Sequence, residues 1–222
     1  MKKVDSGGEK SVRDRILSAA EAAFAEACYS EVSIRQIAAS SKVNLALVSY
    51  HFGSKEGLYR AVVKRRGDDI VRARERALAE FESRQTPPTL EELVRAYIKP
   101  VFDIKREGPR GIAFVKVQAR LHNEADELFL RIRREIYDEI SKRYIRMLEK
   151  TMPQVRPQDI SWRIAFLIGA VNYMLPGVDR LNDLSDNTVS ATDIDQLEEQ
   201  LARFLVAGLS APSAGGEGKA TK

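Results

Sequence analysis

Along this chain apolar residues recur three and four positions apart almost without interruption, and almost no stretch alternates with period two, so the pattern predicts an all-α protein of about nine helices. Ser11 precedes the stripe Val12, Ile16, Ala20 and Phe24, with Asp14 three residues behind the serine, which marks a first helix with one face in a core. Ser33-Ile34-Arg35-Gln36 has the form of a capping box, in which a serine hydroxyl and a glutamine amide each satisfy a backbone N–H at a helix start. A second helix is therefore expected from Ile34 to near Ser41. Asn44 reads as a fresh N-cap, flanked by Val43 and Val48 as a hydrophobic staple, so a third helix should run from Leu45 to Phe52 and stop at Gly53. Ser54 can cap a long fourth helix through Leu58, Val62 and Ile70 to about Arg84.

Gln85-Thr86-Pro87-Pro88 is the clearest break, after which Thr89-x-x-Glu92 opens a helix that Pro100 should kink. Further helices are expected from Pro109 to about His122, from about Ala125 to Thr151, and from Pro157 to Leu175 before Pro176-Gly177. Thr192-x-x-Asp195 should cap the last, which continues through Leu197 and Leu201 to Gly208. The organisation this predicts is a disordered tail over 1–10, a small unit over 11–57, a larger helical unit over 58–210 and a polar, Gly-rich disordered tail over 211–222.

Charge sharpens this division. Through Arg66 there are 12 lysines and arginines against 7 acids, while the remainder carries 24 against 25, so the whole positive excess lies in the first third, where a phosphate-binding surface would be placed. With one cysteine, Cys28, and two histidines, His51 and His122, neither an internal disulfide nor a Cys/His metal cluster is expected, and no cofactor is called for. The longest apolar run, Ile164 to Val171, is far shorter than the roughly 20 residues that cross a bilayer, and no apolar stretch follows the basic start, so a cytoplasmic protein with no membrane partner is expected. There is no nucleophile with its base, no Gly-rich phosphate loop and no E-x-x-H pair, which argues against an enzyme.

Two short helices meeting across about three residues inside a basic region are the parts of a helix-turn-helix, whose second helix enters the major groove. At 100° per residue, with Val48 pointing inward, Leu45, His51 and Phe52 lie within about 60° of it, whereas Ala46 and Tyr50 lie about 160° away. Leu47 and Ser49 fall on the flanks. The outward face then offers small and apolar groups that can press on thymine methyls, and a phenol that can reach a phosphate.

The run SIRQIAASSKVNLALVSYHFGSKEGLY, Ser33 to Tyr59, resembles the DNA-binding signature of the TetR/AcrR family of transcriptional regulators, with Arg35, Ile37, Ala38, Val43, His51, Phe52, Ser54, Lys55, Glu56 and Leu58 matching directly. Lys42 departs from the turn glycine of that pattern, and Leu47 and Ser49 stand where threonine and tyrosine are frequent, so a relative's base preference does not transfer. The resemblance implies that Ser33, Tyr50 and Lys55 contact phosphates, that Arg35 with Ala46 and Leu47 approaches base edges, and that Asn44 and Ser49 lie at the same surface. His51 either touches a phosphate or packs beneath the turn. The resemblance further implies double-stranded operator DNA as a partner, read by a homodimer, and a small-molecule effector whose binding alters the long fourth helix and releases the DNA. For the dimer contact the candidates are Trp162, Phe166, Ala170 and Met174 on one helix, and Leu197, Leu201, Phe204, Leu205 and Gly208 on another. For an apolar or amphipathic effector they are Tyr97, Phe102, Phe114, Gln118, His122, Phe166, Asn172 and Tyr173. A ligand-dependent activator, and a helical protein-binding adaptor without DNA binding, are the alternatives.

Overall fold

A computed structural model describes residues 11–177, 179–189 and 193–213, and among them every regular element is a helix. The chain divides into two units, with the boundary between Arg66 and Gly67. In the first unit α1 spans Val12–Glu26, α2 Ile34–Ser41 and α3 Leu45–Phe52; α4, Lys55–Ser83, begins there. The starts follow the capping chemistry. Ser11 accepts from the Asp14 N–H, Ser33 and Gln36 form the reciprocal box, Asn44 accepts from the Ala46 N–H at 2.9 Å, and Ser54 Oγ accepts from the Gly57 N–H at 3.0 Å. Lys42 closes α2 in the left-handed region, at φ 54° and ψ 47°, with its own N–H on the Ala39 carbonyl and the Val43 N–H on that of Ala38.

The core of this unit is built from Ile16, Leu17, Ala20 and Phe24 of α1, Ile37 and Ala38 of α2, Val48 of α3, and Leu58, Tyr59, Val62 and Val63 of α4, all buried. Phe24, Tyr29 and Tyr59 meet as an aromatic cluster, with centroids 4.9 to 5.9 Å apart. One acid is buried here. Glu21 lies 2.8 Å from the Arg65 guanidinium and 3.6 Å from that of Arg66, which supply the counter-charge its burial demands.

The second unit holds the rest of α4 with α5 (Leu90–Arg106), α6 (Pro109–Asn123), α7 (Glu127–Thr151), α8 (Pro157–Met174), α9 (Asp179–Leu184) and α10 (Ile194–Ser210). All nine expected helices form, and the short α9 is one the periodicity did not predict. α5 continues through Pro100. The cap expected of Thr192 falls outside the described residues; the cap observed is Asp193, whose carboxylate accepts from the Asp195 and Gln196 N–H groups. Both expected tails, except 211–213, lie outside the described residues too.

Phe102, Phe114, Ile98 and Ile160 sit at the centre of this unit with no exposure, and burial on this scale is worth roughly 1.5–3 kcal/mol per large apolar side chain. Gly67 lets α4 approach α7 closely, because a Cβ there would stand 2.8 Å from the Tyr137 hydroxyl. Two buried cations close helix ends: Lys105 Nζ donates to the Leu175 carbonyl at 2.8 Å, at the end of α8, and Arg163 donates to the Leu209 and Ala211 carbonyls at the end of α10. Burial lowers the Lys105 pKa.

Candidate nucleic-acid interface and effector cavity

Within the first unit, α2 and α3 are each only eight residues long and are joined by the left-handed Lys42. Val48 is the one residue of α3 that is fully buried. Ala46, Leu47, Ser49 and Tyr50 are all exposed, Tyr50 to 82%. Phe52 is half-buried, whereas Leu45 and His51, expected to turn inward with Val48, are exposed. Two turns of helix seated on Val48, with Phe52 half-buried at the far end, leave the N-terminal end of the element standing clear of the core. His51 thus lies beside Tyr50 and Phe52, with centroids 5.2 and 6.1 Å away, and not beneath the turn.

Ser33, Arg35 and Asn44 are exposed as well, so nearly all the sequence-picked residues of this unit share solvent. The Arg35 guanidinium makes no hydrogen bond or ion pair among the described residues. Lys55 differs: it is half-buried, its ammonium donates to the Ser30 carbonyl at 3.2 Å and lies 4.5 Å from the Tyr29 ring centroid, and burial lowers its pKa. An ammonium has three protons, so two remain for a phosphate. Sequence reasoning passed over Arg13, whose guanidinium rests 5.5 Å from the Phe52 ring and steadies the half-buried end of α3.

In the second unit, four of the eight effector candidates come together. Tyr97, Gln118, His122 and Asn172 line one cavity of about 30 Å³, joined by Arg74 and Tyr137, which the sequence did not single out. Phe102 and Phe114 are instead closed into the core, and Phe166 and Tyr173 stand on the outer surface, so none of the four reaches the cavity. The lining mixes these polar groups with Val101, Ile168 and Val171, so it is more polar than the mostly apolar one expected. The Tyr137 hydroxyl donates to Gln118 Oε1 at 2.8 Å, and burial raises its pKa. The Asn172 amide donates to the Ile168 carbonyl at 2.8 Å, and His122 Nδ1 lies 3.0 Å from the Gln118 carbonyl. A carbonyl can only accept, so Nδ1 carries the proton and Nε2 the lone pair. Burial first, then the Arg133 and Arg74 charges, bring the His122 pKa down to about 4, against the opposing pull of the Gln118 carbonyl.

The dimer candidates divide by face. Leu197, Leu201 and Leu205 turn into the unit's own core, and Ala170 and Met174 are half-buried against it. Trp162 at 66%, Phe166 at 67% and Phe204 at 70% are exposed, together with Gly208 and with Tyr173, which lies on the same stripe of α8 as Trp162, Ala165, Phe166 and Gly169. Between Phe166 and Phe204 lies an apolar groove of about 220 Å³. A Cβ on Gly169 or Gly208 would meet nothing within 4 Å, so the packing of this chain is not what requires glycine there.

These features define a two-unit, all-α helix-turn-helix protein. Residues 16–62 match the family described as bacterial regulatory proteins, tetR family, and residues 95–208 match tetracyclin repressor-like, C-terminal domain. The chain belongs to the TetR family. It is 46% identical over 65 residues, 29% of its length, to the HTH-type transcriptional repressor Rv3405c of Mycobacterium tuberculosis, of which that stretch covers 35%. The alignment thus spans about a third of that relative. Among solved structures, a TetR-family transcriptional regulator from Bordetella parapertussis superposes with TM-score 0.65 at 19% identity, over 93% of this chain and 100% of that one. Bacillus subtilis FadR, solved with stearoyl-CoA, does so with TM-score 0.58 at 18% identity, over 88% and 98%. At such identities the likeness is one of fold.

Proposed function

We propose that the protein is a cytoplasmic, dimeric transcriptional repressor whose α3 enters the major groove of a palindromic operator and which a small effector releases. The observation that carries this reading is the outward face of α3, where Ala46, Leu47, Ser49 and Tyr50 stand exposed opposite the buried Val48. In it Arg35, Ala46 and Leu47 read base edges, while Ser33, Ser49, Tyr50, His51 and Lys55 meet phosphates and sugars. Asn44 keeps its cap role. The exposed His51 favours a phosphate contact over packing. Such a helix reads few base pairs, so two copies on successive major grooves, about 34 to 36 Å apart, are needed for affinity. Trp162, Phe166, Tyr173 and Phe204, with Gly169 and Gly208 between them, supply a face on α8 and α10 suited to a second copy: aromatic side chains for burial and glycines for close approach.

The effector is assigned to the cavity of Tyr97, Gln118, His122 and Asn172. α4 carries residues of both units, and a ligand that prefers one of its settings over another shifts the population able to bind DNA; about 5.5 kcal/mol of difference takes 1:99 to 99:1. The direct test is a gel shift of the full-length protein on DNA from upstream of its own gene. Arg35→Ala and Lys55→Ala should each weaken binding at least tenfold, at unchanged dimer mass in sedimentation. Equal affinity in both variants removes the assignment of these residues, and failure to bind any duplex at low salt removes the reading as a whole.

A further inference from the structure

Among the described residues Arg74 is the most heavily buried arginine of the second unit, at 5% exposure, and no carboxylate pairs with it. Its Nε donates to the Tyr97 carbonyl at 3.0 Å, and its guanidinium lies 3.6 Å from the Tyr97 ring centroid. Among the described residues no acceptor is bonded to either Nη group. The same holds for the Gln118 side-chain amide, because Tyr137 fixes the other end of that side chain by donating to its Oε1. Arg74 and Gln118 line the same cavity, which therefore gathers one permanent positive charge and several unfilled donors. A buried cation held only by a backbone carbonyl and a ring face is stabilised when a counter-charge joins it. The residues that line the cavity include no aspartate or glutamate to provide one.

We infer that the cavity binds the carboxylate of an organic monoacid, with Arg74 as the charged partner and Gln118 as a second donor. This rests on the reading of the cavity as the effector site and narrows its ligand to acids. A guanidinium presents two parallel N–H groups that match a planar carboxylate, and one arginine balances a single negative charge, which favours a carboxylate over a phosphate dianion. A volume of about 30 Å³ admits a head group of that size and no more, so the rest of the acid lies against Val101, Ile168 and Val171 and requires the helices around them to part. Parting these helices gives ligand binding a conformational consequence.

The test is calorimetry on the full-length protein with straight-chain acids from acetate to decanoate, benzoate and phenylacetate, each beside its amide, and with inorganic phosphate. At least one acid should bind ten times or more tightly than its amide and than phosphate, and Arg74→Gln should abolish that preference while Arg74→Lys keeps part of it. Without ligand, Arg74→Met should melt higher than the wild type, since an unpaired charge is removed; an arginine kept only for structure would make it melt lower. Equal binding of acid and amide, tighter binding of phosphate, binding unaffected by Arg74→Gln, or no binding of any acid would overturn the inference. An operator gel shift separates it from the effector reading. If an acid binds through Arg74 and the protein stays on DNA, the acid site stands and the effector role falls. If a neutral compound releases the DNA and binds Arg74→Gln as well as wild type, the effector role stands and the acid site falls.

Discussion

At the scale of single residues, two positions carry strain or charge that can be measured. Lys42 holds φ 54° without a glycine's freedom, which costs a side-chain-bearing residue about 1–2 kcal/mol. Lys42→Gly removes that strain and adds back about 0.5–1 kcal/mol of unfolded-chain entropy, so a net gain on the order of 0.5 kcal/mol is expected in urea unfolding. A loss would show that the lysine side chain contributes more than its backbone costs. His122 is the second such position. Its pKa is brought from 6.5 down to about 4 in the fold, so well above pH 6.5 it is uncharged both folded and unfolded and contributes nothing to pH dependence. As pH falls below 6.5 the unfolded chain takes the proton and the fold resists it, so stability is lost between about 6.5 and 4, roughly 2 kcal/mol of it by pH 5. Unfolding wild type and His122→Gln at pH 7 and pH 5 should show the variant losing less, by about that amount; parallel losses would mean the imidazole protonates freely in place. Lys42 was legible in advance as a departure from a turn glycine. The depressed imidazole was not, because it depends first on burial by the surrounding helices and then on the charges of Arg133 and Arg74, brought to it from other helices.

At the scale of elements, what was legible was whatever a helix writes into its own few residues. The caps Ser11, Ser33, Asn44 and Thr89 could be read because a capping bond closes within three positions, and their helices start where expected. α9 was not legible, since six residues are too few to establish a period. Nor could spacing tell which side of α8 faces its own core: Ile160, Ile164, Leu167 and Val171 are apolar, but so are Trp162, Phe166 and Tyr173 on the other side. The same ambiguity put Phe166 and Tyr173 among the effector candidates, although both stand on the outer surface. The ends of α8 and α10 rest on long-range donors that local sequence cannot announce. Arg163→Met removes the donor to the Leu209 and Ala211 carbonyls and should cost about 1–3 kcal/mol, with the loss read by urea unfolding. Unchanged stability would mean that water replaces the guanidinium at no cost.

At the scale of the whole molecule, the unit that begins at Gly67 buries a complete core and yet leaves four large aromatic side chains and two unconstrained glycines on one side of α8 and α10. Single exposed apolar residues are ordinary, but a contiguous set around an apolar groove of about 220 Å³ is what an interface presents before its partner arrives. On the proposed reading, the partner is a second copy, so the face should be self-complementary across a two-fold axis. Because Phe166 and Phe204 touch solvent and not the core, replacing them tests assembly without testing folding. Phe166→Glu with Phe204→Glu should therefore sediment as a monomer while its circular dichroism keeps the helical signal of the wild type. Operator binding should weaken by about 10²–10⁴-fold, since each reading helix would then bind without the local concentration its tethered twin provides. A dimer of undiminished stability in that variant would move the interface to another face of the unit, and a monomer that holds the operator as tightly as wild type would mean that one copy of α3 reads the site alone.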